Sequence, residues 1–127
     1  MEELEIKTKC KSGKSWLGTK DDLVFTLCQN QQCCSTGPIG LPNGYSDCLK
    51  TDNYNLSELG DCAKVDFVWQ NIQGNLTFYE NIGGSHDGWR GDWFNLIYDN
   101  DTNILCKITT GIGFKNKPES LNFSCSP

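Results

Sequence analysis

The chain has 127 residues and a mass of 14.2 kDa, the size of one domain with room for a core that removes about two-thirds of the unfolded surface from water. Eleven basic against sixteen acidic residues give a net charge of −5 and an isoelectric point near 4.7, which excludes a general nucleic-acid binder because such a protein needs a basic footprint. One Ala against 13 Gly and 12 Asn speaks against an all-helical fold, a single His86 leaves no material for a multi-His site, and no apolar run approaches the roughly 18–20 residues of a membrane span.

Alternation with a period of two runs through most of the chain. Leu4, Ile6 and Thr8 share one face of residues 3–9, and Glu3, Glu5, Lys7 and Lys9 share the other, the pattern of a half-buried strand. Residues 22–28 group Leu23, Phe25 and Leu27. Residues 29–61 carry Gly, Pro and three cysteines with little periodicity, and read as a long disulfide-pinned excursion with one weak strand at 54–59. Further strands are expected at 62–69 (Ala63, Val65, Phe67 and Trp69 on one face), 75–80, 92–98, 103–109 and 120–125. Turn clusters such as Gly37-Pro38, Pro42-Asn43-Gly44, Gly83-Gly84-Ser85 and Asp99-Asn100-Asp101 separate them. About eight short strands without a convincing helix predict an all-β antiparallel sandwich, one domain over residues 1–127. Its expected core is Leu4, Ile6, Leu23, Phe25, Leu27, Val65, Phe67, Leu76, Phe78, Leu96, Ile104, Ile108 and Phe123.

The eight cysteines are Cys10, Cys28, Cys33, Cys34, Cys48, Cys62, Cys106 and Cys125. No Cys-x-x-Cys pair occurs and one His cannot complete a Cys₂His₂ site, so four disulfides account for them better than zinc. Adjacent Cys33 and Cys34 should take different partners, and Cys106 with Cys125 would join the last two strands. Four Asn-x-Ser/Thr triplets, at Asn55, Asn75, Asn100 and Asn122, are glycan acceptors in a eukaryotic secretory pathway. Cysteines and triplets together predict a secreted, extracellular protein whose four Asn side chains are accessible. Met1-Glu2-Glu3 lacks the basic and apolar regions of a signal peptide, which reads as a mature form.

Several pieces, in order, resemble the PLAT/LH2 family of β-sandwich domains. They are the Ile6-Lys7-Thr8 strand with a loop ending in Gly18-Thr19, the Leu23–Leu27 strand, Leu59-Gly60 before Val65–Trp69, Asp87-Gly88-Trp89 before Phe94–Tyr98, and the Phe123-Ser124-Cys125 ending. Thr8-Lys9-Cys10 and the Asp-Gly-Trp triplet are similar to the cysteine-bearing, free-standing secreted branch seen in plants. The resemblance implies a module that binds lipid or protein through its tip loops, with calcium in some members. Lys20 and Gln70 stand where the family often carries acids, and the closing Trp-Leu is absent.

Arg90-Gly91-Asp92 is the tripeptide read by integrins, which needs a protruding loop; Trp89 and the following strand should instead flatten it, with Asp92 opening the strand. Cys33-Cys34 and His86-Asp87 share residue types with secreted phospholipase A2, but about fifty residues and flanking glycines separate them, so its catalytic helix cannot form. His86 then reads as a solvated loop residue. Loop acids could hold calcium, Asp21 and Asp22 first, yet no EF-hand pattern is present. Lys7, Lys9, Lys11, Lys14 and Lys20 crowd into fourteen positions around Trp16-Leu17. That patch suits an anionic lipid or sulfated glycan, and equally an ordinary solvated face with Trp16 folded on the core.

The sequence therefore predicts a secreted, non-enzymatic binding module. Lys11, Lys14, Trp16, Leu17 and Lys20 would dock it to an anionic lipid surface or an extracellular protein, without a cofactor. The alternatives are a secreted signal, toxin or adhesion factor acting through Arg90, Gly91 and Asp92, and an enzyme of unfamiliar type.

Overall fold

A computed structural model describes residues 2–10, 19, 22–65, 67, 71–79 (backbone only for 77–79), 88–98, 103–109, 112–114 and 120–125. Among the described residues nine strands form two antiparallel sheets. Strands β1 (Glu3–Thr8), β4 (Thr51–Asn55), β6 (Trp89–Tyr98) and β7 (Asn103–Ile108) lie in the order β4-β1-β6-β7, and the short β8 (Gly113–Phe114) pairs with the start of β6. Strands β2 (Asp22–Gln29), β3 (Gln32–Ile39), β5 (Ile72–Tyr79) and β9 (Ser120–Cys125) lie in the order β3-β2-β5-β9. The all-β sandwich expected from the alternation is what forms.

One cluster of buried side chains fills the space between the sheets. Phe25 of β2, Phe94 of β6 and Phe123 of β9 meet edge to face at its centre, with ring centroids 5.3 Å apart for Phe25–Phe94 and 5.0 Å for Phe94–Phe123. Such pairs add about 0.5–1.5 kcal/mol beyond the area they bury. Gly74 lies opposite Phe123, and a Cβ there would fall 2.1 Å from the Phe123 ring. Glycine is needed in this strand because the phenyl ring occupies the place of its side chain.

All eight cysteines are bridged: Cys10–Cys48, Cys28–Cys33, Cys34–Cys62 and Cys106–Cys125. Cys33 and Cys34 take different partners, and Cys106–Cys125 ties β7 to β9 across the sheets, both as expected.

Four expectations need correction. Residues 62–69 do not open as a strand: Gly60–Lys64 is a 3₁₀ helix and neither Val65 nor Phe67 is in a strand. A face with spacing three (Leu59, Cys62, Val65) packs on the core there, so Ala63 is exposed and Val65 only half-buried. Ile104 is 56 % exposed and Leu105 is 2 % exposed. Ile97 pairs with Ile104 and Leu96 with Cys106, so Leu105 is the extra residue of a bulge that inverts the inward parity, and Ile108 ends half-buried. The 29–61 excursion contains two strands, β3 and β4, and the latter sits at 51–55 rather than 54–59. It also holds the one-turn helix α1 (Pro42–Ser46). The expected burial of Phe78 concerns a side chain outside the described residues.

Candidate functional site

Eight strand ends converge at one end of the sandwich, since antiparallel pairing brings the ends of β1, β3, β5 and β7 beside the starts of β2, β4, β6 and β9. The chemistry there begins with Asp52. Its carboxylate is 2 % exposed and accepts the backbone N–H groups of Asn43 and Gly44, each at 2.8 Å, at the start of α1. Burial pushes the Asp52 carboxyl above its ordinary value of 3.8, against the pull of the Gly44 and Asn43 N–H groups. A Cβ on Gly44 would lie 2.0 Å from Thr8 Oγ1, so only glycine lets α1 sit this close to β1. Thr8 Oγ1 in turn accepts the indole N–H of buried Trp89 at 3.0 Å. Tyr54 donates its hydroxyl to the Gly40 carbonyl, and Lys7 donates to the Cys48 carbonyl. Burial first, then the charges of Asp52 and Asp22, push the Tyr54 phenol up, which keeps it a donor. Cys10–Cys48 closes the platform covalently.

These contacts anchor segment 40–50 to β1 and β4, and two large apolar side chains stand exposed on it. Leu49 is 74 % exposed and Tyr45 42 % exposed, two of the three large hydrophobic residues exposed among those described. Beside Tyr45 is a pocket of about 220 Å³ lined by Thr19, Gly40, Leu41 and Pro42. Lys50 stands next to Leu49 with only a 4.0 Å contact to Asp47. Lys9 and Arg90 are exposed at the same end. Sequence reasoning passed over Tyr45 and Leu49 because the segment lacks periodicity. An apolar residue between Cys48 and Lys50 in a Gly/Pro-rich stretch was the available signal.

The sequence-predicted docking residues Lys11, Lys14, Trp16, Leu17 and Lys20 lie outside the described residues, as do Asp21, His86 and Asn100. Strand β1 ends and β2 begins at this same end. Arg90, Gly91 and Asp92 lie inside β6, which starts earlier than expected, at Trp89. Arg90 and Asp92 are exposed and Gly91 is buried, so the tripeptide is part of a sheet and does not project. Asp22 is half-buried at the start of β2. Among the described residues the one group near enough to share an ion is Cys34, Asp61 and Cys62. Its two sulfurs are joined to each other, and Asp61 accepts the Ser35 N–H, so it is no thiolate site. Of the sequon residues, Asn122 is exposed and Asn55 and Asn75 are half-exposed. Asn75 and Asn122 face each other across β5 and β9, with Asn75 Nδ2 donating to Asn122 Oδ1 at 2.7 Å.

Comparison with known proteins yields no match: no protein-family model fits the chain, and neither a curated protein nor a solved structure is significantly similar to it.

Proposed function

We propose that this protein is a secreted, non-enzymatic module that docks on an anionic membrane surface through the end of the sandwich bearing Leu49 and Tyr45. The observation that carries the reading is the exposure of these two apolar side chains on a segment pinned by Asp52 and Cys10–Cys48, beside the cations Lys9, Lys50 and Arg90. An apolar tip with cations at the same end of the sandwich suits an interface that is charged outside and apolar within. Each Lys or Arg near an anionic surface contributes about 1 kcal/mol, and burying an exposed leucine contributes about 1.5–3 kcal/mol. The sequence between β1 and β2 contains Lys11, Lys14, Trp16, Leu17 and Lys20, and the resemblance to PLAT domains points the same way. Four disulfides and four sequons support an extracellular setting, since such bridges persist in oxidising compartments.

The test is the Leu49→Ala variant on vesicles containing phosphatidylserine. Membrane partitioning should fall about fivefold or more, because most of the leucine area is free to be buried. Unchanged partitioning would remove this tip from the docking surface.

A further inference from the structure

A second feature at this end is a groove rather than an apolar tip. It has a volume of about 240 Å³ and is lined, among the described residues, by Lys9, Arg90, Gly91, Thr109, Ile112 and Gly113. Two of those six residues are cations and none is an acid, on a chain whose net charge is −5. Arg90 is the chain's only arginine. Among the described residues the only ion pair is Lys50–Asp47, so neither Lys9 nor Arg90 has a carboxylate partner there. Asp92, the extra residue where the register of β6 against β1 shifts, does not line the groove.

The floor is fixed. Lys9 donates its backbone N–H to the Arg90 carbonyl at 3.0 Å, and Gly91 donates to the Ile112 carbonyl at 3.3 Å. A Cβ on Gly91 would lie 2.4 Å from the Trp89 ring and 2.5 Å from Ile112, and Trp89 is stacked on Phe114 beneath, at 6.1 Å between centroids. The Arg90 side chain lies across Gly113, where a Cβ would come within 3.0 Å of both its Cδ and its Nη1. A side chain at 113 would push the guanidinium aside by a few tenths of an ångström.

We propose that this groove binds a tetrahedral oxyanion, the sulfate or phosphate group of an ester. A guanidinium offers paired N–H donors in a planar fork that matches two oxygens of such a group. Lys9, whose backbone N–H bonds the Arg90 carbonyl, adds a mobile point charge, and Thr109 lines the same groove. The groove accommodates the anionic group and a small part of what bears it. The groove shares Lys9 and Arg90 with the proposed docking surface, but its ligand needs no apolar portion, so binding of a soluble ester is read separately from membrane docking.

The experiment is titration of the intact, disulfide-bonded protein with glucosamine 6-sulfate and, separately, with glycerol 3-phosphate, followed by amide NMR. The amides of Lys9, Arg90, Gly91 and Gly113 should shift together and saturate with at least one probe, and which probe saturates identifies the ester. Arg90→Gln should raise the dissociation constant at least tenfold. Gly113→Ala keeps every charge but displaces the guanidinium, and should weaken binding severalfold while leaving the rest of the spectrum in place. Failure of both probes to saturate, equal affinity in Arg90→Gln, or an unaffected Gly113→Ala would overturn the proposal. Vesicle binding by a protein that ignores both probes would leave the docking reading standing and this one refuted.

Discussion

Replacing Gly74 by Ala should destabilise the protein, although alanine is the better residue for a strand on backbone grounds. The added Cβ would come within 2.1–2.6 Å of three atoms of the Phe123 ring. That ring is 8 % exposed and is held against Phe94 at 5.0 Å and Phe25 at 6.4 Å, so it cannot move without loosening both contacts. Overpacking of this kind costs about 1–3 kcal/mol. Relief of glycine's backbone entropy offsets about 0.5–1 kcal/mol of it, and the net loss should be about 1–2 kcal/mol. Phe123→Ala alone should cost about 3–5 kcal/mol. In that background the obstruction is gone, and Gly74→Ala should become stabilising by about 0.5–1 kcal/mol. Urea denaturation of the four proteins, with disulfides intact and tryptophan fluorescence as the signal, measures the cycle. A Gly74→Ala effect of the same sign and size in both backgrounds would refute the idea that the Phe123 ring dictates glycine here.

Three further outcomes follow from the same structure. Removing Cys10–Cys48, which spans 38 residues, should cost about 4 kcal/mol, and removing Cys28–Cys33, which spans 5, about 2 kcal/mol on chain entropy; denaturation of the paired Cys→Ser variants checks the order, and a larger loss for the short bridge contradicts it. Because Asp52 titrates above 3.8 in the folded protein, the folded state holds its proton longer than the unfolded chain, and stability falls as pH rises from about 3.8 through the folded value. The stability of Asp52→Asn relative to the natural protein should therefore improve between about pH 3 and about pH 7, read from denaturation midpoints at the two values, and a constant difference would remove Asp52 as the source. Trp16→Ala should weaken vesicle binding that persists at high salt, since apolar burial is not screened; salt-insensitive binding equal to that of the natural protein would exclude Trp16 from the interface.

Alternation made β1, β2 and β9 legible because each has one face on the core and one on solvent, so Leu4, Ile6, Leu23, Phe25, Leu27 and Phe123 could be placed inside directly. Strand β3 was hidden by Gly37 and Pro38. Its position at the sheet edge, paired only with β2, explains how proline is tolerated, and Gly37, at φ +69, lies beside a break in register. Strand β5 begins three residues earlier than its pattern suggested, because Gly74 offers no side chain to the alternation and sits under Phe123. The segment around Cys62 satisfies spacings of two and three equally in sequence. Its disulfide to β3 and the left-handed Gly60, where a Cβ would meet the Ser35 carbonyl at 2.3 Å, decide for the 3₁₀ turn. At the candidate site the lysines and Trp16 could be read from composition. Asp52, Gly44 and Thr8 could not, since their meaning lies in contacts between residues 8, 44, 52 and 89.

The most direct measurement of the docking account is co-sedimentation of the intact protein with vesicles of phosphatidylcholine alone and of phosphatidylcholine with phosphatidylserine, at low and high salt. Binding should appear on the anionic vesicles, weaken as salt rises because exposed charges are screened beyond about 8 Å at physiological ionic strength, and leave a remnant carried by Leu49 and Tyr45. Equal binding to both compositions, or none to either, would contradict the account.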